Sequence, residues 1–68
     1  MKEEFYQNIR KMVRVAIALN SSWLHQYDLA ELIGITPAAF YNFMNNQYNI
    51  GYSKARKLEL FLCDLLYQ

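Results

Sequence analysis

The sequence predicts an all-α domain of four helices, and three observations lead there. Apolar residues recur at three- and four-residue intervals over most of the chain. Turn-forming residues (Asn20-Ser21-Ser22, Gly34, Thr36-Pro37 and the stretch Asn45 to Gly51) cut it into segments of helical length. No second alternating segment is present for a strand to pair with. With 68 residues, 54% hydrophobic and 19% charged, the chain suffices for one folded core over residues 1–68 and leaves no room for a second domain.

The first helix is expected from about Glu3 to Asn20, with Phe5, Ile9, Met12, Val13 and Ala16 on one face and Gln7, Arg10, Lys11 and Arg14 elsewhere. Val13, Val15, Ile17 and Leu19 also alternate as a strand would, but the helical pattern is the longer one. A second, short helix runs from Gln26 to Ile33, apolar at Leu29, Ala30, Leu32 and Ile33, and stops at Gly34, which is free to take a left-handed conformation. Thr36-Pro37 then starts a third helix to about Asn45, because Thr can accept from the first free amides and Pro fits the first helical position. After a polar, irregular stretch, Ser53 is expected to cap a last helix that turns Ala55, Leu58, Phe61, Leu62 and Leu65 inward.

Composition excludes several classes. One cysteine, Cys63, forms no internal disulfide, and its neighbours Phe61, Leu62 and Leu65 place it on an apolar pattern, as suits a reducing cytosol. The start, Met1-Lys2-Glu3-Glu4, is acidic where a secretory signal is basic, and the strictly apolar run Val15 to Leu19 is far shorter than the ~20 residues that span a membrane. A cytoplasmic location is expected. His25 and Cys63 lack the partners a catalytic or metal site needs, so neither an enzyme nor a cofactor is expected. The net charge of +1 says little, but between Leu32 and Leu58 there are three bases, Lys54, Arg56 and Lys57, and no acid.

The segment Gln26 to Asn45 resembles the helix-turn-helix of the Cro and lambda-repressor-like (XRE-type) family. The likeness rests on Gln26 at the start, Leu29 followed by small Ala30, Ile33 before the turn, Gly34 in it, Ile35 after it, and Phe40 and Phe43 inward. Small Ala30 lets the two helices cross closely and Gly34 lets the backbone turn sharply. His25 stands where that family often has a Ser or Thr cap. The resemblance implies an all-α, four-to-five-helix DNA-binding domain with a central helix-turn-helix. It would act as a sequence-specific transcriptional regulator of the phage, plasmid or bacterial repressor kind.

On that resemblance the third helix enters the major groove, and its outer face carries Ala38, Tyr41, Asn42 and Asn45 toward the bases. Asn42 is the first choice for readout, because an amide can pair with adenine, and Ala38 suits a thymine methyl. Gln26, Thr36, Asn46, Gln47 and Tyr48 would meet phosphates. Lys54 and Arg56 are added from their position in the first turn of the last helix, where the dipole disfavours cations unless an external anion such as a phosphate compensates. Arg10 and Arg14, one turn apart, are either a solvated face or a second phosphate site. The six tyrosines are as easily core edge as DNA-facing.

Double-stranded DNA is the expected partner, bound by a homodimer on half-sites about 34 Å apart. Surplus apolar residues, Val15 and Ile17 on the first helix and Leu60, Leu66 and Tyr67 on the last, are the expected interface. The alternative is a protein-interaction module, such as an antirepressor that binds a repressor, marked by acids or bulky apolar residues on the outer face of the third helix.

Overall fold

The computed structural model describes residues 2–67, so Met1 and Gln68 at the ends of the expected domain lie outside the described residues. It is all-helical: α1 (Lys2–Leu19), α2 (Gln26–Ile33), α3 (Pro37–Met44) and α4 (Tyr52–Leu66), with no strand among the described residues.

Helix α1 forms where acids Glu3 and Glu4 complement the positive end of the helix dipole. Its buried set, Tyr6, Ile9, Val13 and Ala16, follows helical spacing, while Val15 and Leu19 of the alternating pattern lie exposed. Asn20 ends the helix. Its backbone amide and its side-chain amide both donate to the Ala16 carbonyl, at 3.0 and 2.9 Å, and the turn that follows brings Leu24 into the core. Packing overrides the period-two pattern because only the helical register buries a continuous stripe.

Before α2, His25 is extended and its backbone N–H donates to the Asp28 carboxylate at 2.9 Å. The acid three residues on thus satisfies the helix entry that a Ser or Thr cap would otherwise serve. The His25 ring instead stacks on Tyr27, with centroids 5.2 Å apart. At the other end Gly34 adopts φ +76°, and the amides of Gly34 and Ile35 return to the carbonyls of Glu31 and Ala30 at 3.2 and 3.0 Å. This is a Schellman-type stop, and it depends on a residue at ease in the left-handed region.

Helix α3 starts as the sequence indicates: the Thr36 hydroxyl accepts from the Ala39 amide at 3.1 Å and Pro37 occupies the first turn. Eight residues do not hold a helix in water by themselves. What anchors α3 is the burial of Phe40, Phe43 and Met44, with the two phenyl rings edge to face. Each buried ring contributes on the order of 1.5–3 kcal/mol.

The start of α4 differs from expectation. Gly51, not Ser53, is the N-cap residue, and the Ala55 amide donates to the Gly51 carbonyl at 2.9 Å. The helix begins at Tyr52, whose ring packs on Phe5 of α1 with centroids 5.4 Å apart, and Ser53 sits exposed in the first turn. Ala55, Leu58 and Leu62 are buried, while Phe61, Leu65 and Leu66 pack against the core with part of their surface showing. Helix α4 touches both α1 and α2, and α3 packs on α2. The free thiol of Cys63 is half-buried. Among the described residues no helix is long and apolar enough to cross a membrane.

Arg10 departs most from the sequence reading. It is neither on a solvated face nor at a phosphate-binding position, being only 1% exposed. Arg14, one turn on, is exposed. Arg10 is drawn inward because the carbonyls of Phe43, at the end of α3, and Tyr48, in the loop 45–51, face it and accept from its guanidinium.

Candidate nucleic-acid interface

Helix α3 carries the residues that the sequence resemblance gave as candidates for reading bases. With Phe40, Phe43 and Met44 committed to the core, Ala38, Tyr41 and Asn45 fall on the opposite side and are exposed, Tyr41 to 60%, while Asn42 is half-buried at the edge. Ala38, Tyr41, Asn42 and Asn45 therefore share a face turned away from the core.

Hydrogen bonding sorts the expected phosphate-binding residues. Thr36 uses its hydroxyl oxygen as an acceptor for Ala39, which leaves the hydroxyl proton available to an outside acceptor. Asn46, at φ +64°, accepts from the Gln7 side chain through Oδ1 at 2.8 Å, so its amide hydrogens remain available. Gln26, in the first turn of α2, and Gln47, in the loop, are exposed. Tyr48 is different. Its hydroxyl donates to the Ala39 carbonyl at 3.0 Å, and that one proton is used to tie the loop back to α3.

The two cations also have partners within the fold. Lys54 Nζ donates to the Ile33 carbonyl at 3.3 Å, where the negative end of the α2 dipole favours a cation. Its ammonium lies 3.9 Å from the point a Gly34 side-chain carbon would occupy, which puts it beside the α2–α3 turn. Arg56 pairs with Glu59 one turn along α4. These contacts account for both residues without an external anion. Lys54 nonetheless carries two further N–H donors next to the start of α3.

What the sequence did not reveal is the support behind this surface. Four residues on one flank of α1, Glu3, Tyr6, Gln7 and Arg10, hold the segment that follows α3. The buried Tyr6 hydroxyl donates to the Ile50 carbonyl at 2.8 Å, and Gln7 bridges Glu3 and Asn46 at 2.7 and 2.8 Å. Arg10 Nε donates to the Phe43 carbonyl at 2.7 Å, and its Nη2 to the Asn49 side chain at 2.6 Å and the Tyr48 carbonyl at 3.4 Å. The guanidinium lies over the Phe43 ring, 4.3 Å from its centroid. Burial lowers its proton affinity below the ordinary value, Arg14 adding to this and Glu3 and Tyr6 opposing it. Arginine stays charged at neutral pH regardless. The spacing of residues 3, 6, 7 and 10 along one helical flank was visible as a pattern, but nothing in it distinguishes a buried flank from a solvated one.

No protein-family model matches this chain, and neither does any curated protein or solved structure.

Proposed function

We propose that this chain is a sequence-specific DNA-binding protein of the helix-turn-helix type, a transcriptional regulator that lays α3 in the major groove and binds as a homodimer. One observation carries the reading. Two helices of eight residues meet across a left-handed Gly34, and the second of them buries its phenylalanines while turning Ala38, Tyr41, Asn42 and Asn45 outward. A surface of small and amide side chains fits base edges, since an amide pairs with adenine and a methyl packs on thymine. The hydroxyl of Thr36 and the free amide hydrogens of Asn46 flank that surface as phosphate donors.

A dimer is supported by the exposed apolar residues Val15, Leu60 and Tyr67, at 49%, 58% and 77%. Val15 and Tyr67 lie along a groove between α1 and α4 whose walls include Met12 and Leu66, and Leu60 lies on α4 outside its lining. Ile17 belongs less to that surface, because it packs against the core. The groove uses the flank of α1 that carries Asn8, Lys11, Met12 and Val15, not the flank that holds α3, so a partner seated there leaves the outer face of α3 free.

One observation favours the second reading, a protein-interaction module such as an antirepressor. Helix α3 carries no basic residue, and its largest exposed side chain is the aromatic Tyr41. Selection from a pool of random duplexes, followed by salt titration of whatever is enriched, separates the two. DNA binding gives an enriched sequence and an affinity that falls steeply with salt, whereas a module that binds only protein enriches nothing.

A further inference from the structure

The buried Arg10 has no part in the surface just described, yet it bonds both to the end of α3 and to the loop that follows it. Its Nε holds the Phe43 carbonyl at the last turn of α3, its Nη2 holds Asn49 and Tyr48 in the following loop, and its plane covers the Phe43 ring. The Phe43 carbonyl is shared with the Asn46 amide, which donates to it at 3.1 Å, while the Gln47 amide donates to the Asn42 carbonyl at 3.0 Å. One guanidinium therefore closes a network that fixes the end of α3 and the left-handed turn at Asn46.

Burying a charge is costly, and an aliphatic side chain fills space more cheaply. The network is also not saturated: Arg10 Nη1 has no hydrogen-bond partner among the described residues, and the Glu3 carboxylate is 3.9 Å away. Filling space does not explain arginine here. The group has the fork geometry needed to reach acceptors on two segments at once, and those segments carry Asn42, Asn45, Asn46 and Gln47.

We infer that Arg10 is a positioning residue for DNA recognition: without touching DNA, it holds the end of α3 and residues 45–49 in the arrangement that binds. This rests on the DNA-binding reading above and adds to it a determinant on α1, outside the helix-turn-helix.

The test uses two substitutions that leave net charge unchanged. Arg10→Lys keeps the cation and loses the fork, and Asn49→Ala removes one acceptor at an exposed loop position where folding is at little risk. The probe is the duplex enriched by wild-type protein from a random pool, titrated at several salt concentrations, with hydrogen exchange at the Asn46 and Gln47 amides measured alongside. Both variants are expected to bind about tenfold more weakly, as loss of a charge-assisted hydrogen bond would give. The slope of log affinity against log salt stays as in wild type, because no phosphate contact is lost. Exchange at Asn46 and Gln47 quickens, while the Ile35 amide in the α2–α3 turn is unaffected.

A slope reduced by about one would make Arg10 a phosphate contact and overturn the inference. Faster exchange with unchanged affinity would overturn it too, as would unchanged exchange in both variants. If Arg10→Lys does not fold, Asn49→Ala alone decides. Failure of the DNA-binding reading is seen separately, in wild-type protein that enriches no duplex, and in that case the inference falls with it.

Discussion

The Nε of Arg10 on α1 donates to the carbonyl oxygen of Phe43 on α3 at 2.7 Å, joining residues 33 positions apart in the chain. That carbonyl belongs to the last turn of α3, where the helix dipole is negative and one of its two lone pairs is taken by the Asn46 amide at 3.1 Å. A cation from another helix supplies both the donor and the charge. The end of α3 is thus set by α1 as well as by α3's own sequence.

Replacing Arg10 with Met keeps the bulk and removes all of these donors. The Phe43 carbonyl and the Asn49 side chain lose their charged partner, and stability is expected to drop by about 2–4 kcal/mol. Urea denaturation would show this as a lower midpoint with an unchanged slope. A midpoint within error of wild type would mean that the contacts are replaced by water at no cost.

Gly34 holds φ +76°, and the nearest atom to an added side-chain carbon is Lys54 Nζ at an unstrained 3.9 Å. Space is therefore not the obstacle to a substitution; conformation is. Gly34→Ala is expected to cost about 1–2 kcal/mol, the penalty of a left-handed L-residue, and Gly34→Asn less. If the two substitutions destabilise equally in the same denaturation experiment, backbone conformation is not the cause.

Much of this architecture is legible in the chain, because caps and breakers are local. Thr36-Pro37, Gly34 and the apolar stripe of α1 each act through neighbours a few residues away, and each gives the element expected of it. Three features were not legible. Arg10 lies on the polar flank of an amphipathic helix, and only the tertiary placement of the loop 45–51 shows that this flank is covered. Leu24 and Ile50 complete the core from the connections, where no helical period applies, and Tyr6 and Met44 complete it from the ends of α1 and α3. The start of α4 lies at the Gly51 cap and not at the expected Ser53, because the Ala55 amide is met by the Gly51 carbonyl at 2.9 Å and the helix already includes Tyr52, whose ring packs on Phe5. The outer face of α3 was legible for the opposite reason: once Phe40 and Phe43 are inward, helix geometry fixes where Ala38, Tyr41 and Asn45 point.

Lys54 and Arg56, two cations in the first turns of α4, make separable predictions. Lys54 lies at the α2–α3 turn with donors to spare, whereas Arg56 is held by Glu59. Lys54→Gln is expected to lower the salt slope of DNA binding by about 0.9, one phosphate's share, and Arg56→Gln by less. Equal reductions would place both side chains on the phosphates and show that the Glu59 pair opens on binding.

Val15 and Leu60 are exposed apolar residues on α1 and α4. Placing a glutamate at both, Val15→Glu with Leu60→Glu, is expected to shift sedimentation of the DNA complex from two protein copies to one and to weaken binding to a two-half-site duplex. If stoichiometry is unchanged, the dimer contact lies elsewhere.

The outward face of α3 as a reader of bases is tested most directly at Asn42. Selection from random duplexes with wild-type protein, repeated with Asn42→Ala, is expected to relax preference at one position of the enriched sequence and leave the others intact, with a cost of about 1–3 kcal/mol at that base pair. A uniform loss of affinity across all positions, or an enriched sequence identical to that of wild type, would contradict the account.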